Sequence, residues 1–247
     1  MLKFITSHLQ KEKTPYRTDK FGNIIHFQLP NKYKIIAMCN FGLNSSSVAR
    51  VFTDKNYTSQ ILKHNFKVPE EILLLKNFHN PDQIKSTTTE FAKNHFPLVR
   101  KPLNLNRKII KISNQTELNK QIQKFTKEKF YEKIILQQFI TGQIVRVLYL
   151  NEIIFSHQKQ LREKNFDQKE YKTTKKDTIF SQKIATIFAN YFGLDCIIQN
   201  ENQAIHESTI LEINGSPLNF LQNFPNKKKH IEQKILKAIY YDYTFGT

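Results

Sequence analysis

Two acidic side chains fall inside apolar runs: Asp195 among Leu194, Cys196, Ile197 and Ile198, and Glu212 among Ile210, Leu211 and Ile213, with Asn214 next. Acids are scarce here, 21 against 38 lysines and arginines, so two in apolar surroundings point to chemistry. Both runs are short and bounded by polar or turn-forming residues, the pattern of β-strands. Alternate residues of a strand share a face, so Glu212 and Asn214 stand side by side, roughly 6.5–7 Å apart along the backbone. With Asp195 on a neighbouring strand they offer three oxygen ligands to Mg²⁺, which takes a few carboxylates and completes its shell with phosphate and water. The alternative is that each acid points to solvent from a half-buried sheet. The asparagine two residues after Glu212 favours the metal.

The elements that must position these groups are of both kinds. Strands are predicted at 23–29, 34–39, 71–75, 98–101, 108–112, 133–139, 144–150, 153–157, 194–199 and 209–213. Asp54 is placed to cap a helix carrying Tyr57, Ile61 and Leu62, which stops before Val68 and Pro69. Asn114 with Glu117 three residues later resembles a capping box, opening a helix with Leu118, Ile122 and Phe125 on one face. Residues 179–192 carry apolar positions at Ile184, Ile187, Phe188 and Tyr191, with Gly193 as the expected C-cap. A basic helix is predicted from 228 to 240, and Asn151 with Glu152 marks a hairpin. The class is α+β, not a repeat protein. Residues 158–177 hold seven lysines and arginines, four acids and almost no apolar period, the composition of a mobile loop or a solvated linker.

A chain of 247 residues can bury a good core in one domain or two closely joined ones. No apolar run reaches the ~20 residues of a membrane span, and the N-terminus lacks the apolar core of a signal peptide. Cys39 and Cys196 each lie in apolar, strand-like runs and are expected as buried thiols in a reducing compartment, which makes the cytoplasm the expected location. The net charge of +17 calls for an anionic partner: nucleic acid, nucleotide, acidic peptide or membrane surface. The same mix of Lys, Asn, Ile and Phe with only 6 Gly also follows from an AT-rich coding sequence. With no arginine-rich tail or zinc-finger spacing, a nucleic-acid partner rests on net charge alone.

Five motifs follow one another along the chain. Asp54 and Lys55 precede a helix with Thr58 and Leu62, and Val68 and Pro69 follow it. Phe96, Pro97, Leu98, Val99 and Arg100 lead to Lys101 and Pro102. Ile135, Leu136, Gln137, Gln138, Phe139, Ile140, Thr141 and Gly142 precede Arg146. Gly193, Leu194 and Asp195 form the fourth, and Leu211, Glu212, Ile213, Asn214, Gly215, Ser216 and Pro217 the fifth. In this order, over roughly residues 54–221, they resemble the ATP-grasp ligases. The branch that includes cyanophycin synthetase and the glutathione synthetases is nearest, and the D-alanine–D-alanine ligases are further off.

The resemblance implies an ATP-grasp fold of two α+β subdomains gripping a nucleotide cleft. Its expected parts are a short N-terminal region (1–53), a small subdomain (54–140), and a large subdomain (141–247) with the metal site and the loop 158–177. It implies ATP- and Mg²⁺-dependent joining of a carboxylate to an amine through an acyl phosphate, with a peptide or protein side chain among the substrates. Lys55 and Lys101 would hold phosphates, and Gln137, Gln138, Phe139 and Ile140 would form the adenine hinge. Asp195, Glu212 and Asn214 would hold Mg²⁺. Arg146 would stabilise the acyl phosphate and then the tetrahedral oxyanion.

Departures from the family pattern concentrate around the nucleotide. The glycine-rich phosphate loop is replaced by Leu103, Asn104, Leu105, Asn106, Arg107 and Lys108, without a glycine, so backbone amides wrap phosphate less freely. Arg107 or Lys108 could substitute with charge. The hinge acid is Gln137, and the ribose-binding acid falls on Ile144, so Gln143 could serve only if the register slips by one. The glycine pair of the branch's substrate loops is missing from 158–177, and about 50 residues before Asp54 are short for the usual preceding domain. A catalytically inactive ATP-grasp protein that binds a nucleotide or an acidic partner is the alternative function.

Overall fold

The protein is described by a computed structural model covering residues 3–30, 32–37, 41–102, 109–127, 133–159, 170–215, 217 and 225–241. The glycine-poor stretch 103–108, residues 160–169 of the predicted loop, Cys39 and Ser216 lie outside these. The elements are α1 (Lys3–Lys11), β1 (Tyr16–Thr18), β2 (Ile24–Leu29), β3 (Lys32–Ala37), α2 (Ser46–Val51), α3 (Lys55–Lys63), β4 (Glu71–Leu75), α4 (Pro81–His95), β5 (Leu98–Pro102), β6 (Ile110–Ile112), α5 (Gln115–Lys127), β7 (Lys133–Gln138), β8 (Gln143–Leu150), β9 (Ile153–Lys159), α6 (Lys175–Ile187), β10 (Tyr191–Ile198), a 3-10 turn (Ile205–Glu207), β11 (Thr209–Asn214) and α7 (Pro225–Tyr241). They form two compact units. Unit 1 comprises Met1–Asp54, Gln143–Ser208 and Glu212–Thr247; unit 2 comprises Lys55–Gly142 with Thr209–Leu211.

Unit 2 is built on a four-stranded sheet in the order β4-β7-β5-β6. Leu74, Leu98, Ile134 and Leu136 on the strands bury against Ile84 and Ala92 of α4 and Leu118 and Phe125 of α5. Helix α4 starts at a full capping box: the Asn80 side chain accepts from the Gln83 amide, and Gln83 accepts in return from the Asn80 amide. At α5, Asn114 accepts from the Glu117 amide at 3.0 Å, while Glu117 reaches one residue further back, to the Ser113 amide at 2.6 Å. Its carboxylate also suits the positive end of the helix dipole.

Unit 1 holds β8, β9, β10 and the second half of β11, from a sheet of order β11-β10-β8-β9, and a three-stranded sheet, β1-β2-β3. Its core joins Leu148, Leu150, Phe155 and Tyr191 of the larger sheet to Ile25, Phe27 and Ile36 of the smaller one, with Ile5 and Leu9 of α1 and Ile231, Ile235 and Ile239 of α7. Asn151, at φ 60°, makes the predicted hairpin turn between β8 and β9.

Several elements differ from the sequence expectation. The helix expected at 179–192 begins earlier, at Lys175, because Thr174 and Asp177 form a capping box there, and it ends at the C-cap Phe188. Tyr191, Phe192 and Gly193 belong to β10, a strand buried at every position. A continuous apolar run cannot be told from a helix by periodicity, which is why Gly193 was misplaced as a cap. Tyr57 is 52% exposed, and α3 turns Asn56, Thr58 and Leu62 inward instead. Both flanks of 158–177 are structured. β9 runs to Lys159, the Tyr171 amide donates to the Ser156 carbonyl at 3.0 Å, the Ser156 hydroxyl donates to the Tyr171 carbonyl at 2.5 Å, and the Tyr171 hydroxyl donates to the Gln203 carbonyl.

Candidate functional site

In unit 1 the β10·β8 register runs unbroken from Tyr191↔Leu150 to Ile198↔Gln143, and β9 pairs on the other side of β8 with Arg146↔His157. Directly opposed residues share a face. One face therefore starts apolar, with Tyr191 and Leu150, then Leu148 and Phe155. It then turns polar in a single row of Asp195, Arg146 and His157. The row is the continuation of a core face, so the strands that bury the apolar side chains also fix the charged ones.

Arg146 donates from Nε to Oδ1 and from Nη2 to Oδ2 of Asp195, each at 2.5 Å, a bidentate pair with side chains 16% and 10% exposed. These hydrogen bonds hold the guanidinium above its ordinary value against the opposing effect of burial, and the charges of Asp195 and Glu212 add to the rise. Glu212 thus acts electrostatically on the same arginine. Glu212 and Asn214 are half-buried on β11, the neighbour of β10. Gly215 is required just beyond them, since a Cβ there would lie 2.2 Å from Cδ2 of Phe52. Asn44 Nδ2 donates to the carbonyls of Tyr191 at 2.8 Å and Gly215 at 3.2 Å, tying the start of β10 to the end of β11. On the opposite face, Cys196 is buried and its thiol is pushed up to about 12 by burial, which leaves it inert.

Asp195, Glu212 and Asn214 offer oxygen ligands only, and both carboxylate oxygens of Asp195 are already engaged by Arg146. Among the described residues no three His, Cys, Asp or Glu side chains form a metal cage. Two carboxylates with an amide oxygen are what Mg²⁺ uses when phosphate and water supply the rest.

In unit 2 the pairings Glu71↔Gln137, Val99↔Gln137, Lys101↔Ile135 and Val99↔Lys111 place Glu71, Gln137, Lys101 and Lys111 on the sheet face opposite the α4 and α5 core. Arg100, 2% exposed, alternates to the helix side. Gln137 is 3% exposed and donates from Nε2 to Oε2 of Glu71 at 2.7 Å. Asn56 Nδ2 donates to Oε1 of Glu71 at 3.1 Å, and Gln60 Nε2 to Oδ1 of Asn56 at 3.0 Å. The chain leaving β7 is fixed through its backbone: the Gln138 amide donates to the Glu70 carbonyl at 2.8 Å, and the Phe139 amide to the Pro97 carbonyl at 2.9 Å. Lys111 Nζ lies 4.1 Å from the centroid of the Phe139 ring. Gln138, Phe139 and Ile140 are half-buried, and Lys55 is exposed at the start of α3.

The structure thus brings Arg146 and Asp195 into contact, with Glu212 in their field, and puts Lys101 and Gln137 on one face. The register slip that Gln143 would need for a ribose contact does not occur. Gln143 pairs with Ile198, is exposed, and alternates away from the Arg146 face. Sequence reasoning missed Glu71, Lys111 and His157. Glu71 carried the signal already used for Asp195, an acid opening an apolar run, whereas nothing local marks His157 as the neighbour of Arg146.

No family model matches the sequence, and neither does any curated protein. Solved structures do match in fold. The D-alanine–D-alanine ligase from Bacillus anthracis complexed with ATP is 15% identical with a TM-score of 0.59, over 80% of this chain and 68% of that one. The ATP-grasp ligase PsnB, complexed with a phosphomimetic variant of its minimal precursor, Mg and ADP, is 15% identical with a TM-score of 0.60, over 80% and 61%. A bifunctional glutathione synthetase from Pasteurella multocida is 12% identical with a TM-score of 0.63, over 97% of this chain and 43% of that one. The chain has the ATP-grasp fold, in divergent form, and spans less than two thirds of PsnB and less than half of the glutathione synthetase.

Proposed function

We propose that this chain is an ATP- and Mg²⁺-dependent carboxylate–amine ligase that works through an acyl phosphate and takes a peptide or protein side chain as one substrate. The observation that carries the reading is the buried Arg146–Asp195 pair in the field of Glu212, within an ATP-grasp fold. A carboxylate lacks a leaving group for attack by an amine. Its oxygen attacks the γ-phosphorus, and the bond to the ADP oxygen breaks. The amine lone pair then attacks the acyl carbon, the bond to phosphate breaks, and the amine proton passes to solvent. Both steps depend on positioning and on neutralising charge. Arg146, held rigid by two hydrogen bonds, would place a permanent positive charge where the tetrahedral oxyanion develops. Lys101 would hold nucleotide phosphates, with the hinge at Gln137, Gln138, Phe139 and Ile140 taking the base. Mg²⁺ on Asp195, Glu212 and Asn214 would supply charge neutralisation at the phosphate oxygens. PsnB, complexed with a precursor, supports a peptide substrate, and the +17 charge suits an acidic one.

One observation favours a second reading. Both oxygens of Asp195 are already engaged by Arg146, so a non-catalytic nucleotide binder would be charge-balanced there without a metal. ADP release separates the two. The ligase needs Mg²⁺ and loses turnover by at least about 10²-fold in Glu212→Gln. A protein that binds ATP with Mg²⁺ yet releases no ADP with any carboxylate and amine offered is the binder.

A further inference from the structure

Gln137 stands where the resemblance expects an acid facing adenine, and a carboxamide there is ambiguous. Its oxygen and nitrogen ends are similar in shape, so a half-turn of the group converts an acceptor into a donor. Adenine presents an exocyclic amine, a donor, whereas guanine presents a carbonyl oxygen at the same position. A freely turning Gln137 would serve both bases.

In this protein the half-turn is blocked. A carboxylate only accepts, so the end of Gln137 that meets Oε2 of Glu71 at 2.7 Å is the NH₂ group. Glu71 is itself fixed through Asn56 at 3.1 Å, and Asn56 through Gln60 at 3.0 Å. Turning the amide over would replace a charge-assisted hydrogen bond with two oxygens in contact, inside a side chain that is 3% exposed. Glu71 lies directly opposite Gln137 across β4 and β7, on the face shared with Lys101. Among the described residues the Oε1 of Gln137 accepts no hydrogen bond.

We propose that Glu71 is a positioning residue for base selection: it locks Gln137 with the carbonyl oxygen available as an acceptor, so that the site takes 6-amino purines and rejects 6-oxo purines. The acid expected at position 137 has in effect moved one strand across and acts through the amide. The inference rests on the reading that this chain binds ATP.

The test compares binding of Mg·ATP and Mg·ITP, whose bases differ in the amino and oxo groups, by titration calorimetry on the full chain. Wild type should prefer ATP by about tenfold or more. Glu71→Gln lets both amides turn, and the preference should fall to within about threefold. Gln137→Met should lose it as well. The double variant Glu71→Gln with Gln137→Glu puts an obligate acceptor at 137 and should regain the preference. A purely structural role for Glu71 would lower the melting temperature and leave the ATP-to-ITP ratio alone. An unchanged ratio in Glu71→Gln or Gln137→Met overturns the proposal, as does a double variant that binds both nucleotides equally. A wild type that binds neither nucleotide overturns the ligase reading itself, and one that binds ATP and ITP equally overturns only the role of Glu71.

Discussion

The two units hold their inward carboxylates in opposite ways. Asp195 in unit 1 meets the guanidinium fork of Arg146, whereas Glu71 in unit 2 meets the neutral amides of Asn56 and Gln137. The first arrangement balances charge with charge, and removing Asp195 takes from the buried Arg146 its bidentate counter-charge. The second balances charge with oriented dipoles, and the amides stay locked for as long as Glu71 is a carboxylate that only accepts. On the proposed reading, the ion pair would fix electrostatics for handling phosphate, and the amide network would fix orientation for reading a base.

The largest expected effect separates the two. Asp195→Asn should lower the unfolding free energy by about 3 kcal/mol or more, because Arg146 loses its counter-charge inside the sheet, and should abolish Mg²⁺-dependent ADP release. Glu71→Gln should cost no more than about 1–2 kcal/mol. Urea denaturation of both variants measures the difference, and equal costs would mean that Arg146 is compensated elsewhere.

A smaller effect sharpens the geometry of unit 1. Gly215→Ala should cost about 1–3 kcal/mol, since its Cβ would press on the Phe52 ring, which packs at 5.4 Å against Phe188. Phe52→Leu in the same background should recover part of that loss, and a melting curve for each variant checks it.

Acid pH tests a carboxylate of unit 1 outside the site. Burial alone would raise Asp177, but hydrogen bonds from the His206 side chain and from Thr174 and His206 outweigh it and hold the group below its ordinary 3.8. A carboxyl lowered on folding stabilises above its unfolded value and loses that contribution as pH falls through the folded one. The stability gap between wild type and Asp177→Asn should therefore be flat above about pH 5 and close below 3.8. Arg146, raised above its ordinary value, keeps its contribution throughout this range. A gap that stays constant below 3.8 would show that the Asp177 carboxylate contributes nothing through these hydrogen bonds.

The smallest effect concerns the sugar. Ile144, two residues before Arg146, shares its face of β8 and cannot hydrogen-bond a ribose hydroxyl, and Gln143 points the other way. Deoxy-ATP should bind within about tenfold of ATP. A preference of roughly a thousandfold would reveal a ribose contact from another residue.

Much of the architecture was legible along the chain because it is encoded locally. Every predicted strand has a counterpart within a few residues, the Asn114 cap is in place, and Leu118, Ile122 and Phe125 are buried as the helical period required. Helix α4 was missed although Asn80, Pro81 and Gln83 spelled its start, and β10 was partly misread because eight buried residues carry no period. Asp195, Glu212 and Asn214 were marked by acids and an amide in apolar runs, a signal that needs no partner. The partners themselves were not legible. Asp195 meets Arg146 across 49 positions and Gln137 meets Glu71 across 66, and both contacts depend on strand register. A slip of one residue would send every one of these side chains to the opposite face. Register is set by the packing of whole sheets, so the sequence by itself determined which groups could do chemistry, and the tertiary structure alone decided which of them meet.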